Sequence, residues 1–298
     1  MKLRFILACF LMICAQPAHA QDEQSEFIKL TPKNTAPAIG TTAPAPASAV
    51  TGTKQPLEIT ADNTLEWLRD NHQYIARGNA IAKQGTTELH GDTLTANYVD
   101  GGSAKGMTID RINADGNVLV LSDGSRATGQ QGYYDVKAGY SELTGNNLSL
   151  KTRTDTVTAS DKLTYSAAKR EMTAIGHAKA VRGDDVITAS KLIGRFINDT
   201  ATGNTKLHEL EAVTNVVIKT PTDTLYGDSG VYNAETNKAV IIGNVRIERG
   251  QNLITGARGE VDLNTNVSRI YGGPAPATGG APVDPANDGR VRGVFYPE

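Results

Sequence analysis

The sequence contains few cysteines and few aromatic residues, and no long apolar run follows its first twenty residues. Its only two cysteines are Cys9 and Cys14. If the segment that holds them is removed, the remaining chain can form neither a disulfide nor a thiolate metal site. No later run of about 18 apolar residues could span a bilayer as a helix. We therefore expect backbone pairing and apolar burial to stabilise the processed chain.

The charge of the chain is nearly balanced, with 30 Lys and Arg residues against 32 Asp and Glu residues, a net charge of −2. Loss of Lys2 and Arg4 with the N-terminal segment would leave 28 − 32 = −4. A mildly negative chain lacks the basic patch by which proteins recognise nucleic acid. We expect no nucleic-acid partner.

Motifs of enzymatic chemistry are missing as well. The histidines are scattered and lack the spacing of metal ligands, and no nucleophile elbow, P-loop or dinucleotide fingerprint occurs. Asp62, Asp92 and Asp228 recur at one repeat position, which could suggest paired catalytic carboxylates. Recurrence within a stack of units is simpler to explain as a turn or ladder device. The sequence thus predicts a protein that is not an enzyme and that uses no metal or cofactor.

The two ends of the chain differ in composition from its middle. Residues 1–20 have a basic start, an apolar stretch and a small-x-small site ending at Ala20, which predicts a secretory signal cleaved there. Residues 21–55 are rich in Ala, Pro, Thr and Gly and predict a flexible leader. A similar stretch opens residues 272–298, which we expect to be a flexible tail with a short C-terminal segment. The folded body is expected over residues 56–271.

Two short markers recur through the body. The first is an apolar residue, any residue, then Ala or Gly, usually followed by a small polar residue; the second is most often Gly-Asn. ITAD (59–62) returns 98 residues later as VTAS (157–160), and the second markers obey the same offset. This offset predicts a duplicated block, about 56–153 and 154–251, followed by a terminal unit. Fixed repeats indicate units that bury their apolar faces against their neighbours.

Apolar and polar residues alternate with period two inside each unit, as in Val245-Arg246-Ile247-Glu248. Thr and Val are common, and Asp-Gly and Gly-Asn pairs separate the runs, which is typical of strands and tight turns. No long window has the 3.6-residue period of a helix. The sequence therefore predicts an all-β chain built from stacked strand repeats, with very little helix.

One face of this alternation is apolar in almost every unit. The simpler interpretation is that a second sheet covers it as a dry sandwich core; in the alternative, the two sheets splay and leave a groove that apolar ligand tails can fill. Small side chains on this face favour some unfilled space. The opposite face carries Lys83, Arg182, Lys219, Arg246 and Glu248, and we expect it to be solvated. The candidate groove residues are Tyr74, Ala76, Ala80, Ala82, Ile112, Val118, Val120, Met172, Ala174, Leu210, Val216, Ile218, Ile241, Val245 and Ile247.

The stretch 56–98, PLEITADNTLEWLRDNHQYIARGNAIAKQGTTELHGDTLTANY, resembles the opening motif of the LptA (OstA-like) family. The shared elements are a proline with alternating apolar residues and an acid, a G-N-x-x-x-x-x-G element, and a strand that ends in Asp and an apolar run. The resemblance covers residues 56–271, and the ending RVRGVFYPE is similar to the C-terminal signature of longer members. Two 98-residue blocks exceed the shortest members, which leaves the number of copies per bridge open.

The resemblance implies an open, twisted antiparallel β-jellyroll in the periplasm whose apolar interior holds the acyl chains of lipopolysaccharide. It places the lipid-contacting first strand on Leu57 and Ile59, and the next interior positions on Leu65, Tyr74, Ala76, Ala80 and Ala82. It also implies head-to-tail association of copies, and a bridge between an inner-membrane LptC-like component and an outer-membrane LptD-like component.

Two other functions compete with this one. A membrane-anchored LptC-like component of the same pathway would keep its N-terminal segment, whereas the site before Gln21 predicts cleavage. A β-solenoid adhesin or polysaccharide-binding module would need exposed aromatic ladders or acidic rows along one face. Only 5% of the residues are aromatic, which disfavours the adhesin.

An open sheet leaves unpaired backbone donors and acceptors on its first and last strands, and such edges invite pairing. We expect the first edge near Leu57 and Ile59 and the last edge near Ile254, Val261 and Leu263, and we expect both to be docking sites. Contact between a first and a last edge does not close on itself, so it predicts open chains in place of symmetric dimers.

Overall fold

The computed structural model describes residues 57–100, 107–122, 124–198, 205–262, 264–265, 267–273 and 289–296. The expected signal and leader, most of the tail, and Leu263 lie outside these residues. All regular structure in the described ranges is β-strand, which confirms the prediction of an all-β fold. None of the described segments is a helix long and apolar enough to cross a membrane.

Eighteen described strands form one antiparallel sheet, in which most strands pair with the next one along the chain. They are β1 (Glu58–Thr60), β2 (Thr64–Leu68), β3 (Gln73–Gln84), β4 (Thr87–Asp100), β5 (Met107–Ser122), β6 (Ser125–Asp135), β7 (Tyr140–Thr144), β8 (Leu148–Lys151), β9 (Asp155–Ala159), β10 (Lys162–Ser166), β11 (Glu171–Arg182), β12 (Asp185–Asn198), β13 (Thr205–Lys219), β14 (Thr224–Asn233), β15 (Lys238–Arg249), β16 (Asn252–Asp262), β17 (Val267–Tyr271) and β18 (Arg292–Val294).

The sheet folds on itself into two layers, and each long strand contributes one half to each layer. Residues 73–77 of β3 pair with β2, whereas residues 81–83 pair with β1. Two other long strands also pair with two short strands each, one short strand on each half. These are β6, which pairs with β7 and β8, and β11, which pairs with β10 and β9. We call the layer that contains β2, β7, β10 and β17 layer A, and the layer that contains β1, β8, β9 and β18 layer B. The arrangement is the open, twisted antiparallel jellyroll that the resemblance implies.

Five long strands cross from one layer to the other at a bulge, where the register of pairing shifts. Because two successive residues with positive φ interrupt the ladder and bend the strand, each bulge redirects the chain between layers. We call this line of bulges the seam. Its residue pairs, all with positive φ, are Gly78-Asn79 in β3, Gly116-Asn117 in β5, Gly176-His177 in β11, Thr214-Asn215 in β13 and Gly243-Asn244 in β15.

The recurrent aspartates of the first marker cap the seam. Each accepts a hydrogen bond from the side-chain amide of a seam asparagine, so they act as ladder devices of the repeat, in agreement with the simpler interpretation of their recurrence. The donor and acceptor pairs are Asn79 to Asp62 (2.7 Å), Asn117 to Asp92 (3.0 Å) and Asn244 to Asp228 (2.9 Å).

Strand register repeats with the offset of the sequence markers. Ile59 pairs with Ala82 across β1 and β3, and Val157 pairs with Ala180 across β9 and β11. Both members of the second pair lie 98 residues after those of the first, since 157 − 59 and 180 − 82 are equal. The duplicated block is therefore a duplication of strand pairing as well as of sequence.

Candidate functional site

The space between layers A and B is the candidate site. The side chains of all the predicted groove residues lie on the strand face that points into this space. Most of them are buried, and Leu65, in edge strand β2, is the most exposed at 56%. Alternation along each strand produces this arrangement, because every second side chain faces inward in both halves. The predicted groove residues thus share one face of the strands, and their contact with a ligand stays a prediction.

Beside the seam the interior is tightly filled. Ala80, Ala114, Val118, Ala178 and Val216 are each at most 1% exposed. Their small side chains allow the two layers to approach closely where each strand bends. Along this line the interior is the dry core of the simpler interpretation.

Away from the seam the layers diverge around a cavity of about 200 Å³. Apolar residues make up much of its wall, and small and polar residues of both layers complete the lining. Leu89, Ile112, Val120, Ala127, Leu143 and Leu150 are among the wall residues, and Ser122, Ser125, Gly139, Ala167, Arg170 and Asn198 line the cavity as well. A second space of only about 10 Å³ lies under β1, against Leu57, Ile59 and Tyr74. Close packing beside the seam and a cavity away from it thus coexist in one interior.

Aromatic side chains follow the inner margin of layer A, opposite the seam, and sequence reasoning did not single out this row. The duplication could have found it, because Trp67, Tyr98 and Tyr134 each recur 98 residues later as another aromatic residue. We call this margin the aromatic lip. Its residues are Trp67, Tyr74, Tyr98, Tyr134, Tyr165, Phe196 and Tyr232.

The aromatic lip is most exposed at its N-terminal end. The Trp67 indole N–H donates to the Tyr98 hydroxyl at 2.9 Å, and the Trp67 and Tyr74 rings stack with centroids 5.8 Å apart. The Arg69 guanidinium lies 4.2 Å from the Trp67 ring centre on its face, a cation–π contact. Trp67 nevertheless remains 48% exposed. This cluster therefore offers an aromatic surface at the first edge of the sheet.

The facing margin of layer B is polar, and we call it the polar lip. In the first block it contains the buried hydroxyls of Thr87 and Ser122, which hydrogen-bond at 2.9 Å. In the second block it carries ion pairs, of which one joins Arg249 to Asp223 at 2.6 Å. The open side of the interior is thus bordered by rings on one layer and by hydroxyl and charged groups on the other.

The prediction that Arg182 lies on the solvated face is wrong. Alternation beyond Ala180 points Arg182 inward, where its guanidinium lies 2.6 Å from the carboxylate of Asp155 on the neighbouring strand. The side chains are only 17% and 3% exposed, respectively. Removal of a charge from water is costly unless an opposite charge lies next to it. Arg182 and Asp155 can therefore both lie at the interior margin because they form an ion pair.

Burial and ion pairing shift the pKa of several groups on these lips. Hydrogen bonds from Arg249 hold the pKa of Asp223 below its usual value. Desolvation, with the charge of neighbouring Asp184, raises the pKa of Asp185. Burial also raises the pKa of Tyr232, and the positive charge of Arg182 opposes that shift.

The edges of the sheet differ from the predicted docking strands at the C-terminal end. Val261 pairs with Ser268 of β17 and Ile254 pairs with Gly293 of β18, so neither residue lies in the last strand. The prediction was wrong here because the pairing strand β18 lies within residues 272–298, which the sequence predicts as a tail. At the N-terminal end, β1 and β2 each pair with β3 alone among the described strands, so Leu57 and Ile59 do flank an edge.

No group of three or more carboxylate or histidine side chains in the described part of the chain has the geometry of a metal site. The side chains that border the cavity can instead solvate a polar group at its mouth while apolar walls exclude water from its interior. Arg170, in the turn between β10 and β11, is the one arginine that lines it among the described residues. The arrangement suits an amphiphile with an apolar tail.

Comparison with known proteins was made against families, curated proteins and solved structures. A family model described as LptA/(LptD N-terminal domain) LPS transport protein matches residues 58–168 and again residues 156–267, with starts 156 − 58 = 98 residues apart. Among solved structures, LptH, the LptA homologous periplasmic component of the lipopolysaccharide transport device of Pseudomonas aeruginosa, aligns with 13% identity over 82% of this chain and 96% of its own, at a TM-score of 0.20. No curated protein matches significantly. Because the family match spans most of the chain, the protein belongs to the LptA/(LptD N-terminal domain) family of LPS transport proteins.

Proposed function

We propose that this protein binds lipopolysaccharide in the periplasm by shielding acyl chains between layers A and B. The observation that carries the proposal is the largely apolar cavity of about 200 Å³ between an aromatic and a polar lip. Burial of apolar surface drives a hydrocarbon tail into such a space. The lips place rings and hydroxyls where the tail meets its polar headgroup, an environment that amphipathic aromatic side chains tolerate well.

The size of the cavity sets a condition on binding. Pockets for drug-sized ligands occupy about 300–1,000 Å³, more than this cavity offers. Several acyl chains can enter only if the two lips move apart. The seam would remain closed during this motion, because its tightly packed small residues leave no space to fill.

We further propose that copies of the protein pair head to tail and bridge an inner-membrane LptC-like component and an outer-membrane LptD-like component. The position of exposed apolar side chains supports head-to-tail pairing. Eleven large apolar residues are exposed among the described residues, and seven of them flank the first or last edge of the sheet. A stack of repeats whose terminal units expose apolar surface is completed by another unit. The seven are Leu65, Trp67, Val267, Tyr271, Val291, Phe295 and Tyr296.

A cavity-filling variant tests lipid shielding. Ala127, a wall residue only 2% exposed, faces the cavity, whereas Arg126 beside it faces solvent. Ala127→Phe should fill the space and weaken lipopolysaccharide binding, measured by native mass spectrometry of the chain from Gln21, at least tenfold. Arg126→Phe adds a ring one residue away on the outer face and should leave binding unchanged. Equal binding by both folded variants would contradict an interior site.

A further inference from the structure

The outer face of layer A carries a shallow groove in the first block, beside the seam. The groove is open to solvent, holds about 470 Å³ and runs across β4, β5, β6 and β7. Its side chains alternate with buried interior residues, so they point away from the cavity between the layers. Hydroxyl, amide and carboxylate groups and one phenol ring line it. Among the lining residues are Asn113, Asp115, Gln131, Tyr133, Glu142 and Thr144. We call this space the outer groove.

Strand pairing fixes the positions of these groups. Asn113 pairs with Tyr133, and Tyr133 pairs with Glu142, so their side chains form one row across β5, β6 and β7. A second row, two residues closer to the seam, begins with Asp115 and Gln131. Within it the Gln131 amide donates to the Asp115 carboxylate at 3.1 Å. Polar groups about 4.8 Å apart on neighbouring strands are held more precisely than groups on loops.

The Glu142 carboxylate is fixed by two further contacts. The Lys162 ammonium lies 2.8 Å from it, and the Tyr140 hydroxyl donates to it at 2.7 Å. Desolvation disfavours the ionised form of Glu142, but the hydrogen bonds from Lys162 and Tyr140 hold its pKa below its usual value. Burial, together with the bond to Glu142, raises the pKa of Tyr140 to about 12. Glu142 is therefore an ionised hydrogen-bond acceptor at neutral pH.

The Tyr133 ring adds a flat surface to the outer groove. The Arg111 guanidinium lies 5.7 Å from its ring centre, and the Tyr140 ring centre lies 6.4 Å from it. These two neighbours restrain the ring. The face of an aromatic ring is weakly negative and its edge weakly positive. The C–H groups on one side of a sugar ring can pack against such a face, while the hydroxyls at the sugar's rim reach the amides and carboxylates around it.

The chemistry of the outer groove is particular to the first block. At the positions 98 residues later the second block has mostly apolar side chains, among them Val213, Val231, Val240 and Ile242. Val231 and Ile242 are 39% and 51% exposed. The outer face of layer A therefore accepts apolar residues at these positions without loss of the fold. Folding does not require the polar set of the first block, which indicates a role in binding.

The lining discriminates between classes of ligand. An anion would meet the carboxylates of Asp115 and Glu142, and an apolar ligand would leave the polar groups without partners, which is costly. The described residues contain no group with the geometry of a metal site. A neutral molecule rich in hydroxyls fits, because each hydroxyl both donates and accepts and because hydrogen bonds to an ionised acceptor are strong.

We propose that the outer groove binds a neutral saccharide chain, with the Tyr133 ring against one sugar and Asp115 and Gln131 hydrogen-bonded to its hydroxyls. The ligand is separate from a lipid held in the cavity. The outer groove lies beside the seam, where the layers are closely packed, whereas the polar headgroup of such a lipid would leave between the lips at the opposite margin. The proposal therefore adds a second ligand class and does not rest on lipid shielding.

Isothermal titration calorimetry of the chain from Gln21 with maltohexaose and with chitohexaose tests the proposal. At least one of these neutral oligosaccharides should bind. The double variant Asp115→Val with Gln131→Ser installs the second-block residues and should weaken binding at least about tenfold. As a control, Lys83→Ala with Glu88→Ala removes a hydrogen-bonded pair from the outer face of layer B and should leave binding unchanged. No binding of either oligosaccharide, or equal binding by the Asp115 and Gln131 variant, would overturn the proposal.

A second pair of variants tests the ring. Tyr133→Val should also weaken binding at least about tenfold. Tyr226→Val is the matched control, because the Tyr226 ring lies on the outer face of layer B with the Arg246 guanidinium 4.0 Å from its centre. The control should bind as the parent does, and equal losses in both variants would place the saccharide elsewhere.

Lipopolysaccharide provides the last arm. Its binding by the Asp115 and Gln131 variant, measured by native mass spectrometry, should be unchanged, which separates the outer groove from the cavity. The polysaccharide released from lipopolysaccharide serves as a third calorimetric probe. If it alone binds and neither neutral oligosaccharide does, the outer groove holds the sugar of the transported lipid, and the proposal of a separate ligand is overturned.

Discussion

Arg182 and Asp155 form an ion pair at 2.6 Å on the inner face of the sheet. At the positions 98 residues earlier stand the uncharged residues Gln84 and Leu57. The same structural position is thus charged in one block and uncharged in the other. The second block shows that the fold accepts a charged pair at its interior margin when both partners are present.

Removal of one partner should therefore be costly. Asp155→Ala leaves the Arg182 charge without its carboxylate and should lower the free energy of unfolding by about 3 kcal/mol, measured by urea denaturation. The double variant Asp155→Leu with Arg182→Gln reproduces the residues of the first block and should recover most of that loss. A double variant as unstable as Asp155→Ala would show that the pair is not interchangeable with its first-block counterpart.

Low pH should reduce the stability that the ionised Asp223 carboxylate gives to the fold at the polar lip. A carboxyl whose pKa is lowered in the folded state, as Arg249 lowers that of Asp223, stabilises the fold above its unfolded pKa. That stabilisation is lost as pH falls through the folded pKa. Asp223→Asn should thus cost less than about 1 kcal/mol at pH 7. Its difference from the parent should shrink below about pH 4 in denaturation curves.

Asp185 should respond in the opposite direction. Desolvation raises its pKa, so its ionised form destabilises the fold at neutral pH. Asp185→Asn should raise the melting temperature at pH 7, and this gain should vanish in acid. If Asp185→Asn and Asp223→Asn shift stability at pH 7 in the same direction, the electrostatic assignment of the lip is wrong.

The seam should be intolerant of side chains at its glycines. Gly116 has φ of +75°, and a Cβ there would collide with the carboxylate of Asp92. Gly116→Ala should therefore cost about 2–3 kcal/mol by chemical denaturation, a combination of backbone strain and displacement of the cap. Gly124, with φ of +79°, is the matched control, because a Cβ there would make only ordinary contact with Arg153. Equal losses at both glycines would mean that the cap contributes nothing.

Trp67 should report docking at the first edge. It is the only tryptophan of the chain and is 48% exposed in edge strand β2. Pairing of a second copy over β1 and β2 should shield its ring, so iodide should quench its fluorescence less at high protein concentration than at low. Quenching that is independent of concentration in an associating chain would place the contact elsewhere.

Much of the fold was predictable because its determinants are local and repeated. Alternation of period two is sufficient to place Ala80 and Val118 on one face and Lys83 on the other, and the paired markers gave the 98-residue block. The hydrogen bond from Asn79 to Asp62 explains why the two markers recur together in the sequence. The aspartate of the first marker is the acceptor for the asparagine of the second marker. Local chemistry of this kind is visible in a sequence.

What the sequence did not reveal depends on pairing between distant segments. The alternation that places Ala178 and Ala180 inward also places Arg182 inward, but the local pattern does not reveal its partner, because Asp155 lies on another strand. The pairing of Ile254 with Gly293 likewise joins residues on either side of a long intervening segment. The aromatic lip was within reach, since Trp67 and Tyr165 are related by the block offset, but only alignment of the two blocks reveals it.

Because every long strand among the described residues crosses both layers, the number of strand rows sets the length of the stack. Ten strands span both layers and eight short ones pair into four more rows, so fourteen rows stack along one axis. At about 4.8 Å per row the described stack extends about 65 Å. Each 98-residue block contributes six rows, or about 29 Å. Duplication of the block therefore lengthens the stack in fixed increments.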